Sequence, residues 1–199
     1  MKISLEFLLR LTKYVSGLCI LAFGISLIIL SDIGAGPWDL LSMSLSDVTF
    51  LTVGNWQIVL NIAMIFITRL FITNRINLLT LIPGAILGFM VDYFMIFMEL
   101  TTIPPINLLI LGLLACGAGI SLYVNQGLVA NAIDNFTFQL HHKYNLTLDI
   151  SKIITDLIPV IIILLFFRHS LTFATLIIYI AIPISIKIWV KVFQFLKIL

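Results

Sequence analysis

Six stretches of about 20 mostly apolar residues, each long enough to cross a hydrocarbon core as a helix, constrain this chain more than any other feature. They run roughly over 14–31, 53–72, 78–99, 105–124, 148–167 and 171–193, joined by short polar connections. Their apolarity is continuous rather than alternating, which argues against strands, and an open strand edge is not viable in lipid. Composition agrees: 10% of the residues are charged and 61% are hydrophobic, against about 25% charged in soluble domains. Too little polar surface remains to hydrate a globule, so the lipid bilayer is the expected solvent and partner.

The same composition excludes several functions. A net charge of +2 without a basic block gives no footprint for nucleic acid. Cys19 and Cys116 lie alone in apolar runs, without the spacing of a metal or redox site. His141-His142 lacks further ligands at metal spacing. No phosphate-binding glycine loop, nucleophile elbow or zinc-protease helix is present. The expectation is therefore no enzyme, no metal and no cofactor.

Basic residues near helix ends set the expected orientation. Lys2, Arg10 and Lys13 precede the first run, and Arg69 and Arg75 flank the second connection. Lys143 and Lys152 flank the fourth, and Lys187, Lys191 and Lys197 lie at the C-terminal end. The first and third connections hold Asp32, Asp39, Asp47 and Glu99 but no Lys or Arg. Six crossings in a cell membrane with both termini cytoplasmic satisfy all of these; Arg168, in the fifth connection, dissents. The basic start ahead of an apolar run is read as an uncleaved first helix.

A shift of 95 residues aligns the two halves without a gap. Gly24-Ile25-Ser26-Leu27 falls on the identical Gly119-Ile120-Ser121-Leu122. Gly17-Leu18 falls on Gly112-Leu113, Asp39 on Asp134, Thr52 on Thr147 and Thr80 on Thr175. A repeat with an odd number of crossings must place its second copy upside down relative to its first. The expected fold is thus an all-α membrane protein of six transmembrane helices arranged as an inverted 3+3 repeat. Residues 1–199 form a single integral membrane domain, with repeats at about 5–99 and about 100–194.

Each repeat carries a short re-entrant or interfacial helix after its first crossing. In the first, Pro37 suits the opening helical position and Asp39 the first turn, with the helix running over about 37–47. In the second, Asn131 is placed as an N-cap with Asp134 in the first turn. Both carboxylates either cap their helices or face a ligand. Aspartate already occupies the positive helix end, so a cationic or neutral hydrogen-bonding ligand fits better than an anion.

Ionisable groups inside crossings are functional candidates by default. Asp156 and its repeat mate Asn61 fall near the middle of helices, with Gln57 and Ser151 extending the same polar faces. Lys152 lies one turn before Asp156, so the two can pair privately or flank a ligand. Asp92 is a further candidate carboxylate. Its repeat mate Lys187 differs from it in expected depth by roughly 12 Å, at 1.5 Å per residue, which argues against a bridge. Gly84/Gly88, Gly17/Gly24 and Gly112/Gly119 are read as close helix contacts.

Gly34-x-Gly36-Pro37-Trp38-Asp39 and Gly88-Phe89-Met90-Val91-Asp92, with the basic-x-x-x-acidic pair Lys152/Asp156, resemble the bacterial YczE/YitT-like membrane proteins, particularly the YczE group. The resemblance covers essentially the whole chain and implies the same membrane fold. The chain departs from that group at Leu128–Asp134, where a Gly/Pro-rich stretch is replaced by Leu-Val-Ala-Asn-Ala-Ile. The expected function is a small-molecule transporter or permease, with Asp156, Asn61, Asp39, Asp134, Asp92, Lys152, Trp38 and Gln57 as substrate-binding candidates. The alternative is a non-transporting membrane subunit, a substrate-binding component or accessory of a larger complex. A homo-oligomer or a membrane partner protein is compatible with either.

Overall fold

A computed structural model of the chain describes residues 5–72, 77–98, 102–167 and 172–197, and within them the protein is all-α. The helices are α1 (Leu5–Leu30), α2 (Pro37–Asp47), α3 (Val53–Phe71), α4 (Leu81–Met98), α5 (Pro105–Val124), α6 (Ala132–Tyr144), α7 (Leu148–Phe166) and α8 (Phe173–Phe195). A single 3-10 turn, Leu78–Thr80, leads into α4. Lys2, Arg75, Glu99 and Arg168, used above for orientation, lie outside the described residues.

Among the described helices, α1, α3, α4 with its leading turn, α5 and α8 are long and apolar enough to cross a bilayer. Lipid rather than water suits their outer faces: Leu176, Ile177, Ile180, Ile184 and Ile188 all stand exposed along α8. α7 is also 19 residues long, but Asp149, Lys152 and Asp156 sit in its first half. α1 begins about nine residues before its apolar run, because Leu5–Lys13 is rich in helix formers.

The chain forms two compact helical units, each drawn from both halves of the sequence. The first contains α1, α5, α8 and the second half of α4. Its central feature is the seam between α1 and α5, where backbones meet through glycine. A Cβ on Gly17 would stand 2.7 Å from Tyr123 N and 3.0 Å from Gly119 O. One on Gly24 would stand 2.6 Å from Cys116 N and 2.8 Å from Gly112 O. The close contacts expected of these four glycines are present. Ser26 Oγ donates to Ala22 O at 2.9 Å and reaches Val91 O at 3.1 Å. Ser121 Oγ likewise reaches Gly117 O at 2.7 Å and Ile186 O at 3.2 Å. Each hydroxyl thus ties one helix to its neighbour in a medium without competing water. Arg10, near the start of α1, donates to Gln126 O just past the end of α5, where a cation complements the helix dipole.

The second unit contains α2, α3, α6, α7 and the first half of α4. Each short helix, α2 and α6, packs on both long helices, α3 and α7. Met64, Ile65, Ala132, Phe136 and Leu140 form its buried centre, with Trp38, Leu81, Ile133 and Ile158 against it. Thr52 and Thr147 cap α3 and α7, accepting from Asn55 N at 3.2 Å and Ile150 N at 3.3 Å. Gly84 and Gly88 on α4 make the expected close contacts. A Cβ on Gly84 would lie 2.8 Å from Asn61 Cγ, and one on Gly88 would collide with Gly54 O and Ile58.

Candidate functional site

The polar residues singled out in the sequence converge in the second unit, and each position of Gly36-Pro37-Trp38-Asp39 has a distinct task there. Gly36 is the N-cap of α2, and a Cβ on it would come within 3.2 Å of Asp39 Oδ2. Pro37 opens the helix at a position whose N–H would have no partner in any case. Trp38 Nε1 donates to Asp156 Oδ1 on α7 at 3.0 Å. Asp39 Oδ1 accepts from Gln57 Nε2 on α3 at 3.0 Å. Gly36 and Pro37 thus start α2, and Trp38 and Asp39 dock it onto two long helices.

The other short helix is held by different chemistry. Asn131 caps α6 as expected, accepting from Asp134 N at 2.8 Å and donating to Asp134 Oδ2 at 3.0 Å. Asn61 Oδ1 accepts from Ala132 N, the first helical N–H of α6, at 3.0 Å. Its Nδ2 donates to Gln57 O at 2.9 Å. Asn61 is buried, and both ends of its amide are engaged by the chain itself. It positions α6 rather than presenting a free amide. Thr137 Oγ1 donates to Thr155 Oγ1 at 2.9 Å, joining α6 to α7. That pair was missed in the sequence. Its signal was a separation of 18 residues, the same as between Asp39 and Gln57.

Lys152 Nζ lies 3.1 Å from Asp156 Oδ1, so the one-turn pair is formed. Lys152 also acts electrostatically on Asp39, and Asp134 acts on Asp156. Asp39, Asp134 and Asp156 therefore share one polar region with Lys152, Gln57, Asn61 and Trp38. Asp92 belongs to the first unit. Its position late in α4 falls past the division of that helix between the units.

α2 is too short to cross a bilayer, and on it burial pushes the Asp39 carboxyl up to about 6. The charge of Lys152 and the Gln57 hydrogen bond oppose the rise, and the charge of Asp156 adds to it. A folded-state value above the ordinary 3.8 means that the fold favours the protonated acid. Stability from this group is full below about pH 4 and is lost as pH rises through about 6. Asp39→Asn should therefore gain on the order of 2 kcal/mol over wild type at pH 7.5 and nothing at pH 4. Melting both proteins across that range checks it; an Asn-minus-wild-type difference that is flat with pH contradicts it.

Five described helices of bilayer length and apolar composition define a multi-pass α-helical membrane protein. More narrowly, the chain belongs to the Family of unknown function (DUF6198), whose model matches residues 8–191. It is 32% identical over 141 residues to "Uncharacterized membrane protein YczE" of Bacillus subtilis (strain 168), covering 69% of this chain and 66% of that one. It is 28% identical over 159 residues to "Uncharacterized protein YyaS" of the same organism, covering 77% and 79%. The match thus spans just under two thirds of the YczE chain. No solved structure matches. The likeness read from Gly34–Asp39 and Gly88–Asp92 is borne out by the YczE relative.

Proposed function

We propose that the protein is a small-molecule permease of six crossings, built as an inverted repeat whose polar path runs through the second unit. The observation that carries the reading is the constant offset of 95 residues between equivalent contacts. α3 and α7 begin and end 95 residues apart, at Val53/Leu148 and Phe71/Phe166. The bonds Ser26–Val91 and Ser121–Ile186 share that offset at both ends. So do the capping threonines, and Gly17 against Gly119 becomes Gly112 against Gly24. Three crossings per repeat then invert the second copy.

In this reading α7 is the sixth crossing. Its 19 residues reach about 28 Å at 1.5 Å each, close to the thickness of a hydrocarbon core. In its first half Lys152 pairs with Asp156, and the buried Asp156 also meets Trp38 of α2. α2 and α6 are the re-entrant or interfacial helices. Arg10, Lys13, Arg69, Lys143, Lys187, Lys191 and Lys197 place both termini in the cytoplasm. Asp156, Asp39, Asp134, Lys152, Trp38 and Gln57 line the path, and Asn61 holds α6 in place. Ionisable side chains are tolerated at such depth where they pair and face a hydrated route.

The test is the solute content of cells. Expressing the chain should change the cellular pool of at least one small metabolite, read by untargeted mass spectrometry. Asp156→Asn, at equal membrane abundance, should return that pool to the level of cells without the protein, at least a tenfold loss of flux. A pool changed equally by wild type and variant would remove Asp156 from the path, and pools unchanged by the protein would remove the permease.

A further inference from the structure

We propose that the second unit binds an organic cation with an ammonium group, and that the Lys152 side chain occupies the place of that group when no ligand is bound. The inference rests on the reading of this unit as a substrate site and adds the chemical class of the substrate.

The two members of the ion pair differ in freedom. The Asp156 side chain is 6% exposed, whereas that of Lys152 is 43% exposed. The acid is fixed among α2 and α7 while the base enters from an accessible side on a flexible four-carbon stem. Lysine is a point-charge ammonium that makes no bidentate, geometry-locked contact, so another ammonium can replace it atom for atom. The acid also retains capacity. A carboxylate offers about four lone-pair sites, yet Trp38 Nε1 and Lys152 Nζ both reach the same oxygen, Oδ1. The indole that donates to Oδ1 fixes the carboxylate through its ring edge, so the acid stays in place when the ammonium exchanges.

Anions are disfavoured at the same place. A helix N-terminus binds an anion through free first-turn N–H groups, and at both short helices the first such position is already closed. Pro37 has no N–H at the first position of α2, and the Ala132 N–H of α6 is taken by Asn61. Each first turn already carries its own carboxylate, Asp39 or Asp134. Lys152 is the base that acts on both Asp39 and Asp156, so displacing it exposes two acids to one incoming charge.

The experiment uses the full chain purified in detergent at pH 8, with thermal stability read against phenethylammonium, putrescine and methylammonium chlorides. Sodium phenylacetate is the anionic control. A ligand that binds the folded state raises the melting temperature. At least one of the three cations should do so, and phenylacetate should not. Lys152→Gln should melt lower than wild type without ligand and bind that cation about tenfold more tightly, because the internal competitor is gone. Asp156→Asn should lose the effect, and Trp38→Phe, which keeps the ring, should retain most of it. No Asp156-dependent shift with any of the three, a weaker or unchanged affinity in Lys152→Gln, or a shift with phenylacetate would each overturn the cation. The Lys152 arm decides the matter even if the Asp156 variant fails to fold. Binding without any change in cellular pools keeps the cation and removes the permease; an Asp156-dependent anionic pool does the reverse.

Discussion

Gly24→Leu should yield little or no folded protein, the largest effect expected of any single change in this chain. Water drives apolar side chains together in soluble proteins, but lipid is as apolar as leucine, so helices in a bilayer associate through close packing and hydrogen bonds. The α1–α5 seam depends on that closeness. At Gly24 a single added carbon would stand 2.6 Å from Cys116 N and 2.8 Å from Gly112 O, both backbone atoms. A flexible side chain could rotate away from such a clash, whereas helix backbone must translate. Overpacking a core with adaptable neighbours costs about 1–3 kcal/mol. Four carbons forced between two backbones should exceed about 5 kcal/mol, a large share of the stability of an ordinary domain. Separating α1 from α5 would also loosen the Tyr14–Tyr123 edge-to-face contact farther along the seam. Ile110→Leu, at a half-exposed position on α5, is the matched control and should be nearly silent. Size-exclusion profiles and melting curves in detergent decide the matter. A monodisperse Gly24→Leu protein melting within about 3 °C of wild type, roughly what one kcal/mol produces in a chain of this size, would show that the seam is not the fold's main contact.

Much of this was legible because its causes are local. α2 runs from Pro37 to Asp47, the range expected from the Gly-Pro-Trp-Asp motif, since a proline at the first helical position acts through backbone geometry alone. The Asn131 cap and the Lys152–Asp156 pair lie three and four residues apart, within one helical turn, and both are formed. The glycines paired because a small residue has few other uses at a helix contact in lipid. What stayed hidden was partnership over distance. Trp38 and Asp156 are 118 residues apart, and Asn61 and Ala132 are 71. Nothing in the period or spacing of either segment names the other, because the choice is made when whole helices pack. The same limit explains Asn61. A buried amide in an apolar run signals that something must satisfy it, but ligand and helix end satisfy it equally well. Asp92 was grouped with the other acids on charge alone, and the helix that carries it divides between the two units.

Asn61→Leu should cost about 3–5 kcal/mol, by a route unlike that of Gly24. Leucine matches asparagine in size but has branched methyl groups where the amide has a flat, bonded end. Ala132 N would lose the acceptor 3.0 Å away, and Ala132 is 1% exposed, so water cannot replace it. An orphaned buried N–H costs about 1–3 kcal/mol. The methyls would also press on Gly84, whose missing Cβ leaves room for Asn61 Cγ and little more; that adds about 1–3 kcal/mol. Asn61→Asp separates the two contributions, because it keeps the shape and the acceptor for Ala132 while adding a carboxylate to the polar region that already holds Asp39, Asp134 and Asp156. It should cost less than leucine at pH 3, below the ordinary aspartate value of about 3.9, where protonation removes the added charge, and more at pH 8 than at pH 3. Denaturant titration of the two variants at both pH values measures this. Equal losses for leucine and aspartate at pH 3 would mean that the Ala132 bond contributes nothing. The expected ranking instead makes Asn61 the residue that fixes the first turn of α6, and with it the place of Asp134 in the polar region that the permease reading requires.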